Sequence, residues 1–301
     1  MISKEIQIQA ARAAKGRPEC RGHLRSEGLV RLFCLSLCWS LLATPPMQAQ
    51  DLFSQAGEEL HYDIRYKYGI VDMKGGTAKY GLKATTFDRE QALESTLSFR
   101  TNSFFDKIYR IRDTLRSYAS VPGITPLYHI RNVNEGGSHL TEELRMLKHG
   151  QSATEVSVKR IKEGEVRMDT VIRSDLPGYD LLNIFLFIRT LDYAQLRYEQ
   201  SFTVATFLGE KKVNVLIKYQ GQAVVRKSGT GYKALRFAVD VANEVFTESK
   251  NAIEIWISDD KNHIPLKIKA KLKIGAAEAN LSSHRNLLHP FSSAIPLTPR
   301  K

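Results

Sequence analysis

Regular alternation of apolar and polar residues is the feature that most constrains what this chain can fold into. In residues 58–68, five apolar side chains alternate with charged or polar ones: Leu60, Tyr62, Ile64, Tyr66 and Tyr68. This period of two is typical of a half-buried strand with an aromatic inner face. Shorter runs of the same kind, Lys107–Ala119 among them, recur between Gly- and Pro-containing turns. The pattern predicts a mainly β protein with a large curved antiparallel sheet, or an open barrel-like sheet.

The last clear run of alternation has an unusual polar side. Its apolar residues are Leu266, Ile268, Ala270, Leu272 and Ile274, and its polar residues are Lys267, Lys269, Lys271 and Lys273. We expect the first set to face the core. The four lysines are a candidate docking surface for an anionic partner, or simply a solvated face, in keeping with the net charge of +12.

One segment departs from the strand pattern. Asp180 follows Pro177-Gly178 and is a plausible helix N-cap, and Leu181–Leu191 is apolar almost all round, with Asn183 and Arg189 among the exceptions. A helix that is apolar on most sides is a buried one. The sequence therefore predicts one main helix, covering the mouth or the concave face of the sheet.

The N-terminal region reads as an export signal. Arg31 precedes twelve mostly apolar residues, 32–43, and Pro45-Pro46 and Ala49 follow them, an order typical of a cleaved secretory signal. Because a spanning helix needs about 20 apolar residues, this run predicts no stable transmembrane anchor. The expected domains are 1–49, an N-terminal extension and secretory signal; 50–282, a single antiparallel β domain; and 283–301, a flexible tail.

The cysteines support this division of the chain. Cys20, Cys34 and Cys38 all precede residue 50, so a mature chain starting near Gln50 has no disulfide, thiolate metal site or cysteine nucleophile. Bulky residues precede Cys34 and Cys38, which argues against lipid attachment. We expect an exported protein of the periplasm, or one associated with the outer membrane, in a Gram-negative bacterium.

Four segments in order resemble a known family. They are GEELHYDIRYKYGIVDMKGGTAKY, FFDKIYRIRDTLRSYAS with GITPLYHIRN, YDLLNIFLFIR, and IWISDDKNHIPLKIKAKLKIGAAEANL. Together, over about residues 57–281, they resemble the domain of unknown function 3108 family, closest to exported members from Bacteroides-like bacteria. The resemblance implies an exported envelope protein with an antiparallel β fold, and it implies no activity.

No motif for catalysis or metal binding is apparent. The chain has no G-x-S-x-G elbow and no H-E-x-x-H pair. His129, His139 and His149 are ten residues apart, which we attribute to chance. We expect no catalytic residue, metal or cofactor. We also expect no nucleic-acid partner, because the sequence has no basic stripe with stacking aromatic residues. The sequence therefore argues against an enzyme, although a motif search does not find catalytic groups that are distant in sequence.

Two functions from different classes remain, and each has candidate residues. The first is an envelope binding protein, in which Tyr62, Tyr66, Tyr68 and Asp113 line a site for a lipid or another apolar or amphipathic ligand. Alternation puts Asp113 on an apolar face, where its carboxylate needs an arginine or a backbone N–H as partner. The second is a non-catalytic structural protein of the envelope that docks another protein or an anionic surface. Asp259-Asp260 is interpreted as a turn.

Overall fold

The computed structural model describes residues 57–121, 123–150, 153–209, 211–242, 251–272 and 275–296. In these parts of the chain, fifteen strands form one antiparallel sheet. The strands are β1 Glu58–Tyr68, β2 Val71–Phe87, β3 Glu90–Thr101, β4 Arg112–Ser120, β5 Thr125–Glu135, β6 Ser138–His149, β7 Thr154–Lys162, β8 Glu165–Ser174, β9 Ser201–Leu208, β10 Lys211–Lys227, β11 Thr230–Ala242, β12 Ile253–Ser258, β13 Pro265–Lys271, β14 Ala276–Arg285 and β15 Ala294–Pro296. The helices are α1 Ser103–Asp106 and α2 Asn183–Arg189.

Hairpin follows hairpin through most of the sheet. β1 to β8 pair in sequence order, β9 to β14 do the same, and the pairing of β1 with β14 joins the two halves. β15 adds to β11. This meander confirms the predicted fold class: a mainly β, antiparallel, barrel-like sheet with one main helix.

The segment after β8 nearly closes the sheet into a barrel. Pro177 and Tyr179 exchange backbone hydrogen bonds with Ala205 of β9, at 2.9 and 2.8 Å. Gly178 between them has no room for a side chain, because a Cβ atom would lie 2.6 Å from Thr154 and 2.9 Å from the ring of Phe207. The chain therefore crosses the seam between the two ends of the sheet in close contact with both.

Helix α2 fills the space that the sheet encloses. Ile184 and Ile188 pack with the apolar faces of β10 to β12, whereas Leu186 packs with Leu60 and other residues of β1 to β4. As predicted, the Asp180 carboxylate caps the first turn, accepting from the backbone N–H groups of Leu182 and Asn183 at 3.0 and 3.1 Å. The helix is shorter than the run Asp180–Leu191 suggested, since only seven residues are helical.

The strand predicted from Lys107 to Ala119 begins later than expected. Residues 102–110 leave the sheet, and β4 starts at Arg112. Asn102 caps the short helix α1 by accepting from the N–H of Phe105 at 3.0 Å. Asp106 then holds Arg112 at 2.5 and 3.0 Å. These side-chain bonds stabilise an excursion that alternation alone reads as strand.

Residues 283–296, which the sequence assigned to a flexible tail, are in contact with the rest of the sheet. β14 continues to Arg285, and Leu287 and Phe291 pack against the core cluster that contains Leu60. Asn262 also donates its side-chain N–H to the carbonyl of His289 at 3.0 Å. Aromatic burial and backbone pairing hold this segment although its sequence lacks periodicity. Residues 297–301 and the predicted signal region 1–49 lie outside the described residues.

The closing strand is shorter than its alternation indicated. Leu266 is 5% exposed and Ile268 packs against the core, as predicted. Leu272, predicted to be buried, is 44% exposed. β13 ends one residue earlier, and the Leu272 N–H bonds to the carbonyl of Gly275 in the turn that follows. Lys273 and Ile274 lie outside the described residues.

Candidate functional site

A cavity of about 230 Å³ lies between α2 and the inner face of the sheet. β1 to β3, β13 and β14 form its walls, and α2 with the residue before it forms its cover. The lining residues are Tyr62, Ile64, Ala78, Tyr80, Leu97, Phe99, Leu182, Phe185, Arg189, Pro265, Ile268 and Ala279. All but Arg189 and the two tyrosines are wholly apolar side chains.

The two hydroxyl groups in the cavity wall are bonded to protein partners, whereas Nε of Arg189 is buried without a hydrogen-bond partner among the described residues. The Tyr62 hydroxyl donates to the carbonyl of Pro265 at 2.9 Å, and the Tyr80 hydroxyl lies 3.3 Å from that of Ser95. Burial raises the pKa of Tyr80 to about 12 and that of Tyr62 well above its ordinary value. Both phenols therefore stay neutral, and the cavity offers a ligand a surface without free charge.

Arg189 is tied to the start of β1 by a buried ion pair. Its two terminal nitrogens lie 2.7 and 2.8 Å from the Glu58 carboxylate, and one also donates to the carbonyl of Asn262 at 3.0 Å. The side chains of Arg189 and Glu58 are 2% and 1% exposed. Burial alone would lower the pKa of Arg189, but Glu58 outweighs it and raises that pKa. The C-terminal end of α2 is thus anchored by charge.

The N-terminal end of α2 is anchored by three buried polar side chains, Ser117, His129 and Asp180. The Ser117 hydroxyl donates to Asp180 at 2.6 Å and lies 2.7 Å from Nδ1 of His129. Since serine has one hydrogen to donate, Nδ1 must carry the hydrogen of the second bond. Burial lowers the pKa of His129, and the Asp180 carboxylate opposes that shift.

This Ser-His-Asp group does not have the geometry of a catalytic triad. In a triad the aspartate bonds one ring nitrogen of histidine and the serine bonds the other. Here Asp180 and Ser117 approach the same nitrogen of His129, at 3.5 and 2.7 Å. All three residues are at most 3% exposed. The arrangement positions a helix and gives a substrate no access.

Of the four predicted ligand-binding residues, only Tyr62 lines this cavity. Tyr66 is half-buried beside Gly275, and Tyr68 is 57% exposed where β1 ends. Asp113 is buried, and with Tyr62 it lines a second, larger pocket of about 590 Å³; it has the partners that its burial requires. Its carboxylate accepts from the backbone N–H of Asn134 at 3.1 Å and lies 3.9 Å from Arg131.

Sequence reasoning missed most of the cavity wall. Tyr80 and Phe99 carry the same alternation signal as Tyr62, but only strand register brings the three together. Arg189 stood out in the sequence as a charge within an apolar helix. Its partner Glu58 is 131 residues away, so no local pattern could have paired them.

The predicted lysine row is partly engaged with neighbouring residues. Lys267 lies 3.2 Å from Glu278, which also pairs with Lys67 at 2.9 Å, and its ammonium is 5.2 Å from the Trp256 ring centroid. Lys269 and Lys271 are half-buried, and Lys273 lies outside the described residues. A docking role for this row stays a prediction.

Asp260 forms the turn that the sequence predicted. Its carboxylate accepts from the hydroxyl of Ser258 and the N–H of Asn262, at 2.9 and 3.0 Å. Within the described ranges, no three His, Cys, Asp or Glu side chains stand close enough together to hold a metal ion.

Helices in the described part of the chain are short. None of them is long and apolar enough to cross a membrane.

The fold and cavity define a class of protein: an antiparallel sheet, nearly closed into a barrel, around an anchored apolar helix. The chain belongs to the family described as "Protein of unknown function (DUF3108)", which matches residues 61–282. The predicted family is thereby confirmed. No curated protein matches the chain.

Two solved structures can be compared with this one. The crystal structure of a beta-barrel-like protein of domain of unknown function DUF1849 from Brucella abortus matches with a TM-score of 0.53 and 9% identity, over 76% of this chain and 97% of that one. It supports the barrel-like fold. A protein with a YmcC-like fold from Bacteroides fragilis matches at a TM-score of 0.32 and 5% identity, over 76% of this chain and 95% of that one.

Proposed function

We propose that this protein is exported to the cell envelope and binds the hydrocarbon part of an apolar or amphipathic envelope ligand beneath α2. The observation that carries the proposal is the cavity of about 230 Å³, whose wall is apolar apart from the two bonded tyrosine hydroxyls and Arg189, which pairs with Glu58 through its terminal nitrogens. Ligand sites are typically concave, apolar and largely pre-formed. A cavity with this lining selects hydrocarbon, because its one charged side chain, Arg189, is already paired with Glu58.

The anchors of α2 explain how such a cavity can persist. Buried apolar space costs stability, so a helix free to shift would close it. The Asp180 group at one end and the Arg189–Glu58 pair at the other fix the position of α2 against the sheet. The volume is slightly below the range of about 300–1,000 Å³ typical of drug-sized ligands. A single alkyl chain or its end segment suits it better than a bulky ring system.

Filling the cavity tests the proposal directly. Ala279→Leu adds three carbon atoms to the cavity wall and leaves the anchors in place, whereas Ala84→Leu makes the same change at an exposed position of β2. Binding is measured by the fluorescence of N-phenylnaphthylamine, a neutral apolar dye, and by its displacement with dodecanol. We expect wild type and Ala84→Leu to bind alike and Ala279→Leu to bind at least tenfold more weakly.

The outcomes separate ligand binding from a purely structural role. Dye binding that survives Ala279→Leu, in a variant whose unfolding midpoint is unchanged, would place the dye elsewhere and refute the site. No binding by wild type would favour the structural alternative. Native mass spectrometry of protein isolated from its own host would then identify a retained lipid or a bound partner protein. N-terminal sequencing of the envelope fraction tests export, which requires a mature start near Gln50.

A further inference from the structure

Exposed apolar side chains are concentrated at one end of the sheet. Among the described residues, thirteen large hydrophobic side chains are exposed, and eight of them belong to three neighbouring connections. These eight, which we call the apolar rim, are Tyr68, Ile70, Val71, Met73, Phe104, Ile108, Tyr109 and Leu272. Ile70 is fully exposed and Ile108 is 69% exposed. Soluble proteins rarely leave clustered apolar surface uncovered without an interaction to make.

Backbone contacts place the three connections side by side. The excursion 102–110 is bonded to the β1–β2 hairpin, since the Asn102 N–H donates to the carbonyl of Gly75 at 3.0 Å. Gly275, just before β14, lies against the end of β1, where a Cβ atom on it would collide with the carbonyl of Lys67. All three connections therefore project from the same end of neighbouring strands.

Positive charge surrounds the apolar rim. Lys107 and Arg110 are exposed, and Arg110 adds to the effect of Arg112 in lowering the pKa of the nearby Asp106. Lys67 and Lys74 lie at the base of the β1–β2 hairpin, each in contact with a carboxylate. Apolar side chains at turn tips, with lysine and arginine at their base, match the two layers of an anionic membrane surface: acyl chains inside and negative headgroups outside.

We propose that the apolar rim docks the protein on an anionic lipid bilayer. The tips carrying Ile70 and Ile108 enter the boundary between headgroups and acyl chains, and Lys107 and Arg110 contact the headgroup phosphates. Two features favour a bilayer over a protein partner. Protein interfaces are depleted of lysine, which stands here at Lys67, Lys74 and Lys107, and separate apolar tips at one end of the sheet suit a flat, deformable surface better than a shaped one. This inference is independent of the cavity.

Vesicle flotation tests the proposal with matched variants. The probes are vesicles of phosphatidylglycerol with phosphatidylcholine, and vesicles of phosphatidylcholine alone. Ile70→Ser combined with Ile108→Ser removes the two most exposed tips. Val171→Ser combined with Val224→Ser removes apolar side chains of 40% and 48% exposure elsewhere. Because burying one such side chain is worth a factor of roughly ten or more in affinity, we expect the rim variant to lose nearly all binding and the control to lose none.

A second pair of variants tests the charges. Lys107→Gln with Arg110→Gln should weaken binding to anionic vesicles, mainly at low salt, where headgroup attraction is least screened. Arg226→Gln with Lys148→Gln removes the same charge from exposed positions outside the rim and should have little effect. Circular dichroism and the unfolding midpoint must match wild type in all four variants.

Several results would overturn the proposal. Wild type that fails to float with anionic vesicles would do so, as would equal losses in the rim and control variants. A concentration-dependent dimer that the Ile70→Ser/Ile108→Ser variant dissolves would identify the apolar rim as an interface between two copies of the chain instead. Loss of flotation in the apolar variant, with flotation unchanged in the charge variant, would overturn the proposed contact of Lys107 and Arg110 with the headgroups. That result would support only the insertion of the apolar tips.

Discussion

Breaking the buried Arg189–Glu58 pair should destabilise the protein more than any surface ion pair. Both side chains are at most 2% exposed, and the bond is bidentate at 2.7 and 2.8 Å. Glu58→Gln leaves the Arg189 charge facing a neutral amide, and Arg189→Met leaves the Glu58 charge uncompensated, in each case in a buried site. Removing one partner of such a pair costs about 3–5 kcal/mol. That is a large share of a typical stability of about 5–15 kcal/mol.

Urea unfolding measures this cost and a surface pair controls for it. Arg167 and Glu165 lie 2.5 Å apart but are 56% and 69% exposed. Arg167→Gln should therefore change the free energy of unfolding by no more than about 1 kcal/mol. The midpoint should move in the buried variants with an unchanged slope, because the same surface is exposed on unfolding.

The double variant separates the pair from its surroundings. Glu58→Gln with Arg189→Met removes both charges, so it should cost clearly less than the sum of the single changes. If each single change costs no more than Arg167→Gln, or if the two costs add, the pair does not hold α2 and this account of the anchor is wrong.

Three further changes test other parts of the fold. Leu266→Ala, at a buried position, should cost about 2–5 kcal/mol, whereas Leu272→Ala, at an exposed one, should stay within about 0.5 kcal/mol, both by urea unfolding. Burial and the nearby Arg189 lower the pKa of His263 to about 4, so the unfolded chain takes up this proton first as pH falls. The stability that neutral His263 contributes is complete above about pH 6.5 and is lost between about pH 6.5 and 4. The unfolding midpoint of His263→Asn should therefore depend less on pH over that range. Gly178→Ala should cost about 1–3 kcal/mol by overpacking the seam, with thermal unfolding as the readout.

The sequence predicts the sheet well because alternation is a local signal. Leu60 and Tyr62 repeat every second residue and are buried as their period requires. The helix could also be predicted from a local pattern, because Asp180 caps a run of apolar residues. The predicted ends of strands were wrong where side-chain hydrogen bonds replace the backbone hydrogen bonds of the sheet. Asn102 and Asp106 divert a stretch that alternation assigned to a strand, and Leu272 continues the period after β13 has ended.

The candidate site could not be predicted, because its parts meet only through register and closure of the sheet. Alternation places Tyr62 and Asp113 on inner faces, and both also line a second pocket of about 590 Å³ formed by β1 to β4 and β14. Tyr62 faces α2 and the cavity, while Asp113 bonds the backbone at Asn134. No pattern within β1 distinguishes Tyr62 from Tyr66. The distinction arises from β13, β14 and α2, which are more than 100 residues away in sequence.

The geometry of two strands relates the proposed cavity to the proposed membrane surface. On β1, Ile64 lines the cavity and Tyr68 belongs to the apolar rim. On β13, Ile268 lines the cavity, and Leu272, just after this strand, belongs to the apolar rim. Ile64 and Tyr68 are four residues apart on β1, which corresponds to roughly 13 Å along a strand. A hydrocarbon chain seated beneath α2 would therefore have its free end within reach of a bilayer docked at the rim. On this arrangement a ligand could pass between membrane and cavity without exposing its full length to water, and the polar head could stay at the headgroup level while the chain occupies the protein.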